Sequence, residues 1–339
     1  MDFCAQFHPN GIFGAYPDGD RLEQLRKLGV TVLVDLTDSH DKVDRYDPPP
    51  DMQYTNYPIG DHSSPKNWQS FCKLIIKIET WLKTDHVYVH CRGGHSRSGL
   101  IVAVLLRRLI PDITAEQAIE RTTELHNSRI GLKQKWKDLG CPQTRCQKNL
   151  VFRLFSPFAF SRSYRTGTKA GFSTFTKHPI EVPFPCAPID DASPFRLSLT
   201  VEAPQRFCLF QTVETAYLCM KAPLNTHYVS LIREQITVIK CVHIAKTQEC
   251  ENPDWGDETL YDLTRLKYEQ HPYLIPILLQ TGFREIIDTT TNTHPDNLVG
   301  RILMRLREEF RVAEPEGRRV AEVQGPPVPR SGSTDGHGF

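Results

Sequence analysis

The sequence has no run of about 18 apolar residues, so no transmembrane helix is expected. It has no excess of either charge. Its 41 lysines and arginines balance 40 carboxylates, a net charge of +1. That gives no electrostatic case for nucleic acid or an anionic membrane. Its 10 cysteines form no C-x-x-C pair and no short secreted frame. This speaks against a disulfide scaffold and against zinc, and for reduced thiols in the cytoplasm or nucleus. The opening "MDFCAQFHPNGIFG" has no basic start followed by an apolar core, so no signal peptide is expected. No internal repeat is present, and no metal or cofactor is expected.

What remains is enough chain for two cores. Residues 1–155 alternate strand and helix signals. "TVLVDLT" reads as a buried strand, after a helix with Leu22, Leu25 and Leu28 in step and Gly29 behind it. "SPKNWQSFCKLIIKIETWLK" predicts a helix capped by Ser64 with Pro65 at its first position, and Thr114 with Gln117 predicts a capping box. Such alternation predicts an α/β domain with a mostly parallel sheet covered on both faces. From 156 to 193 periodicity fails. Phe158, Phe160, Phe172, Phe175 and Phe184 make this an irregular connector packed on a neighbour. Residues 194–311 regain helical patterns and are expected to be mainly α-helical. Residues 312–339 are polar, Pro/Gly-rich and expected to be disordered.

The chemistry sits in "VYVHCRGGHSRSGL". An apolar strand ends at His90, a loop follows, and a helix opens near Arg97. Backbone N–H groups of such a loop and the positive helix end gather an anion. Gly93 and Gly94 let backbone approach an oxyanion. The same field stabilises a thiolate at Cys91. Arg97 supplies a planar fork for two phosphoryl oxygens. A thiolate beneath a phosphate cradle is a nucleophile aimed at phosphorus.

"HCRGGHSRSG" resembles the signature loop of the cysteine-dependent protein tyrosine phosphatase superfamily, and within it the dual-specificity branch. The likeness runs from about Phe13 to Leu154. It implies Cys91 as nucleophile with a phosphocysteine intermediate, Arg97 as clamp, Ser98 as the hydroxyl that receives the departing thiolate, and His90 tuning the thiolate from behind. Arg92, Gly93, Gly94, His95 and Ser96 form the phosphate-binding loop, with Arg92 and His95 making a cationic rim. Phosphoryl transfer also needs an acid for the leaving oxygen. Asp61 in "NYPIGDHSSPKNW" matches the branch's acid context; Asp35 and Asp38 are rivals. Gln147 matches the glutamine that positions the hydrolytic water. No deep tyrosine-recognition loop, no phosphoinositide-type lysines and no RNA-triphosphatase loop are present. The expected substrates are phosphotyrosine and phosphoserine or phosphothreonine.

The second half resembles the NADAR superfamily, whose members cleave N-glycosidic bonds, from about Phe184 to Arg311. That likeness marks a candidate pocket of Glu214, Tyr217, Lys221, Lys267, Asp288 and Asn297, and an ADP-ribose-like ligand. Glu214, Tyr217 and Lys221 share one helical face. Asp288 stands where the family has a glutamate, and the family's Trp-Gly loop is missing. Three functions follow: a cysteine phosphatase, an enzyme on nucleotide or ADP-ribose phosphates presented by the second half, or a non-catalytic phosphate-binding adaptor.

Overall fold

The structure is a computed structural model that describes residues 2–160, 171–174, 177–183, 207–220, 227, 231, 238–247, 257–289 and 295–313. The N-terminal half is built on strands β1 (Cys4–His8), β2 (Gly11–Gly14), β3 (Val32–Asp35), β4 (Gln53–Asn56) and β5 (Val87–His90). They lie side by side in the order β1-β2-β5-β3-β4. Only the β1–β2 pair is antiparallel; β2, β5, β3 and β4 run parallel. Alternation along the strands sorts two cores. Phe13, Val32, Val34, Val87 and Val89 face one side, with Phe71, Ile75, Ile78, Ile101, Val104 and Leu150. Leu33 and Tyr88 face the other, with Leu25, Val30 and Met52.

Helices cover the sheet: α1 (Gly19–Lys27), α2 (Trp68–Trp81), α3 (Arg97–Leu109), α4 (Ala115–Asn127), α5 (Gln134–Leu139) and α6 (Arg145–Phe155). Gly29, at φ +77°, follows α1 as the sequence indicates. The Thr114–Gln117 capping box opens α4 as expected, and a second, Thr144 with Gln147, opens α6. One cap differs. Asn67, not Ser64, starts α2, its side chain accepting from the Ser70 N–H. The segment 60–66 stays outside the helix, which leaves Asp61 on a loop.

In the second half β6 (Phe158–Phe160) pairs in parallel with β9 (Ile286–Asp288), and β7 (Ile180–Pro183) pairs antiparallel with β8 (Phe207–Phe210). Helices α7 (Val213–Met220), α8 (Val238–Thr247), α9 (Asp257–Gln270), α10 (Ile275–Leu279) and α11 (Leu298–Ala313) surround them. Its core joins Phe160, Phe172 and Ile180 to Leu260, Leu278 and Leu303. The described parts of the expected connector are therefore strands and core of the second half. Phe175 and Phe184 lie outside the described residues. Helix α11 carries Val312 and Ala313 past the expected start of the tail; the rest of that tail also lies outside them. Among the described residues no helix is long and apolar enough to cross a membrane.

Candidate active site

Three chain segments converge on the loop between β5 and α3. Its floor is set by close backbone packing. Gly94 has φ +68°, and a Cβ there would stand 2.3 Å from the Gly14 carbonyl carbon and 2.5 Å from the Ala15 nitrogen. Only glycine lets the loop rest on the end of β2. Tyr16 donates its N–H to the Arg92 carbonyl at 3.1 Å, tying the loop to the same stretch.

Cys91 is 2% exposed, with its Sγ 3.5 Å from Ser98 Oγ. Arg97 is 1% exposed, the largest fully buried side chain among the described residues. Its two terminal nitrogens donate to the Asp41 carboxylate at 2.5 and 2.8 Å, and Nη1 also donates to the Ile59 carbonyl at 3.0 Å. Asp61 Oδ1 lies 3.3 Å from Nη2. Arg97 Nε is buried with no hydrogen-bond partner among the described residues. An unmet buried donor is costly. A phosphoryl oxygen in the loop would satisfy it. Burial lowers the guanidinium pKa, but the Asp41 hydrogen bonds outweigh that and raise it. Burial likewise pushes the Asp41 carboxyl up, and the Arg97 and Asp38 hydrogen bonds bring it below the usual carboxylate range. The pair stays ionised.

Sequence reasoning did not single out Asp41. It sits among Asp35, Asp38, Asp44 and Asp47, and no spacing marks it; only the fold turns it toward Arg97. The two rivals to Asp61 are engaged elsewhere. Asp35 is buried and accepts from Thr37 and the Tyr54 hydroxyl. Asp38 accepts from the N–H groups of His40 and Asp41. Asp61 is half-exposed and faces Arg97. Gln147 is fully buried and joins two loops: its Oε1 accepts from Ser96 Oγ at 2.7 Å, and its Nε2 donates to the Ser63 carbonyl at 2.9 Å.

The expected cationic rim needs correction. Arg92 is exposed, whereas His95 is partly buried. It stacks on Trp136 at 4.7 Å and contacts His126 and Arg129 through Nδ1 at 2.8 and 2.9 Å. Burial, then the charge of Arg129, pushes its pKa down to about 3, so it is neutral. Positive charge beside the loop comes instead from Arg21, Arg129 and Lys133, which line a cavity of about 570 Å³ with Gly93 and Trp136. His90 is neutral too, its pKa pushed down to about 4 by burial, with Nε2 2.7 Å from the Tyr46 hydroxyl. It is therefore a packed neutral ring and not a cation.

In the second half, Glu214 and Lys267 meet at residues 171–174. Lys267 Nζ donates to the Gly171 and Ser173 carbonyls at 2.6 and 3.0 Å, and Thr174 Oγ1 donates to Glu214 Oε2 at 2.9 Å. Tyr217 is buried on α7 beside Glu214. Asn297 spends its amide on the β9 backbone at Ile286 and Asp288, both at 2.8 Å, which makes it a brace for that strand. Lys221 lies outside the described residues.

Residues 16–130 match the family described as "Swiss Army Knife protein, DSP-PTPase phosphatase domain". The chain is similar to "Putative tyrosine phosphatase 197R" of Invertebrate iridescent virus 6, 26% identical over 324 residues, 91% of this chain and 95% of that protein. It is similar to "Dual specificity protein phosphatase 9" of Homo sapiens, 33% identical over 109 residues, 32% of this chain and 28% of that one. Among solved structures, kinase associated phosphatase with its catalytic cysteine substituted by serine is 22% identical, covering 44% of this chain and 90% of that one, with a TM-score of 0.35.

Two outcomes follow from this geometry. Asp41→Asn removes the counter-charge that holds Arg97, so turnover of a good and a poor leaving-group ester should fall together by about 10²-fold, the scale of a misplaced clamp. Unchanged rates for both esters would remove Asp41 from the site. The second concerns acid. His90, His95 and His126 have folded pKa values pushed by burial to about 4, 3 and 4. Unfolded, they take a proton at about 6.5. The unfolded chain then binds more protons, so stability falls as pH drops from about 6.5 toward 4. Melting temperatures across that range should decline, and less steeply in His126→Asn; a flat profile in the wild type would contradict these assignments.

Proposed function

We propose that the dual-specificity-type phosphatase domain of the N-terminal half hydrolyses phosphoric monoesters through a phosphocysteine at Cys91. The observation that carries this reading is the partnerless, buried Nε of Arg97, beside the buried thiol of Cys91 on the loop between β5 and α3. Cys91 attacks phosphorus as a thiolate; the S–P bond forms as the P–O ester bond breaks. Asp61 gives its proton to the leaving oxygen. Arg97 Nε and the loop N–H groups hold the phosphoryl oxygens, which gain charge in the transition state. Water then attacks phosphorus, Asp61 takes its proton, and the S–P bond breaks. Ser98 Oγ, 3.5 Å from Sγ, receives the returning thiolate. Gln147, its amide committed to Ser96 and Ser63, serves by joining the phosphate loop to the acid segment rather than by holding water.

The substrates under this reading are phosphotyrosine and phosphoserine or phosphothreonine in proteins. The half-exposed acid and the names of the similar phosphatases support it. The complete set of Cys91, Arg97 and Asp61 speaks against a non-catalytic adaptor.

A second reading concerns the other half: a NADAR-like pocket that takes an ADP-ribose-like ligand, presents phosphorylated nucleotide to the phosphatase, or cleaves an N-glycosidic bond. The observation favouring it is Lys267, 1% exposed, its amine pushed down to about 7 by burial, held by the segment that also holds Glu214. A buried amine of this kind is a functional-site signature.

Cys91→Ser should abolish turnover of an aryl phosphate while retaining inorganic phosphate binding, since the cradle remains. A residual rate within about tenfold of wild type would assign the attack to another residue. Asp61→Asn should slow phenyl phosphate, a poor leaving group, by roughly 10²–10⁴-fold, and an activated nitrophenyl ester far less. Equal losses would reject Asp61 as the acid. For the second half, Lys267→Met should weaken ADP-ribose binding measured by calorimetry. No binding to the wild-type chain would retire that reading.

A further inference from the structure

The phosphatase core is not closed by its own half. Phe283, in the turn between α10 and β9, belongs to the core of the N-terminal half and is 8% exposed. Its ring stacks on Phe155 of α6 at 5.9 Å and 17°. The Arg108 guanidinium lies 4.0 Å over it, and that of Arg311 at 5.0 Å. The next residue, Arg284, stands 5.0 Å over the Trp68 ring, and Arg153 of α6 stands 4.9 Å over the same ring. Arg284 also reaches Phe158 of β6, at 5.7 Å.

Helix α11 fixes this turn from the second half. Arg307 donates to Thr281 Oγ1 at 2.9 Å and to the Arg284 carbonyl at 2.7 Å, and Arg311 donates to the Gly282 carbonyl. Gly282 has φ +64°, and a Cβ there would meet Leu154 at 3.1 Å and Trp68 at 3.6 Å. The turn is wedged between the end of α6 and the start of α2.

Those two places are the supports of the acid segment. Trp68 is the first residue of α2, where the segment ends. Helix α6 holds the segment from the side: Gln147 donates to the Ser63 carbonyl at 2.9 Å, and Cys146 to the His62 carbonyl at 3.4 Å. At the other end, Ile59 is buried and its carbonyl takes Arg97. So residues 60–66 span a fixed point on the phosphate clamp and a second one gripped by the second half.

We propose that the 281–284 turn is part of the phosphatase site, and that Arg284 is a positioning residue that places Asp61 through Trp68 and α6. This rests on Asp61 being the general acid. A cation over the indole face holds the ring in one orientation. Two cations on the same ring, one from each half, lock α2 to α6 at the point where the acid segment enters the helix. Loosening that lock moves the acid while leaving Cys91 and Arg97 seated. Its signature is a loss that depends on the leaving group, which general instability does not produce.

The test uses the full chain and the rates on phenyl phosphate and on an activated nitrophenyl ester, across pH. Arg284→Gln should slow phenyl phosphate by about tenfold and the activated ester by less than about twofold, a partial loss of acid catalysis. The alkaline limb for phenyl phosphate should become shallower. Arg284→Lys, which keeps a cation over Trp68, should recover most of the loss. Combined with Asp61→Asn, Arg284→Gln should add nothing further. Trp68→Leu, a change on the phosphatase side of the same contact, should give the same leaving-group-dependent loss. Equal losses on both esters, no loss, or an additive double variant would overturn the proposal. Asp61→Asn alone is the separate control: if it does not discriminate the two esters, the acid assignment fails whatever Arg284 does.

Discussion

The fork of Arg97 onto Asp41 is the contact on which the site depends. A guanidinium that is 1% exposed cannot stand without a counter-charge, and removing one member of such a pair leaves an uncompensated buried ion. Asp41 takes both terminal nitrogens and leaves Nε as the donor without a partner among the described residues. The same contact explains the course of the chain after β3. The segment bearing Asp41 is pinned by Arg45 on Thr37 at 2.6 Å and by Tyr46 on His90 at 2.7 Å. Asp35, at the end of β3, gathers Thr37, Tyr54 and Asn56 around it. One polar network therefore ties Arg97 and the segment after β3 to the end of β5, the strand that leads to Cys91.

Charge around the loop is supplied differently from what the residue types suggest. His90 and His95 are both neutral, for the same reason: they are enclosed, and desolvation disfavours the imidazolium. The cations that remain near the loop are Arg21, Arg92, Arg129 and Lys133. Arg129, 4% exposed, holds Phe3, His126 and His95 together by hydrogen bonds and lowers the pKa of both histidines. The loop's histidine is a packing element between Trp136 and Arg129, not a rim charge.

Much of this was legible in the sequence where the chemistry is contiguous. The strand, glycine loop and helix around Cys91 and Arg97 are neighbours in the chain, and so are the capping box at Thr114 and the glycine behind α1. Contacts between distant segments were not legible. Asp41 lies 56 residues from Arg97, in a run where every third residue is an aspartate. The protonation of His95 depends on its burial and then on Arg129, 34 residues away. The cap of α2 passed from Ser64 to Asn67: Ser63 is held by Gln147 across 84 residues, and residues 60–66 form a loop with a turn at Asp61–His62. The aromatic residues between the halves read as an irregular connector, since strands as short as β6 and β7 carry little periodicity; their partners, β9 and β8, lie far along the chain.

The most direct test of the account is to trap the covalent state. The full chain is mixed with an activated aryl phosphate, quenched in milliseconds, digested, and the peptides weighed. One added phosphoryl group, acid-labile in the manner of a thioester of phosphoric acid, is expected on the peptide containing Cys91. None is expected in Cys91→Ser. Turnover with no phosphopeptide at any quench time, or with the phosphoryl group on another residue, would contradict it.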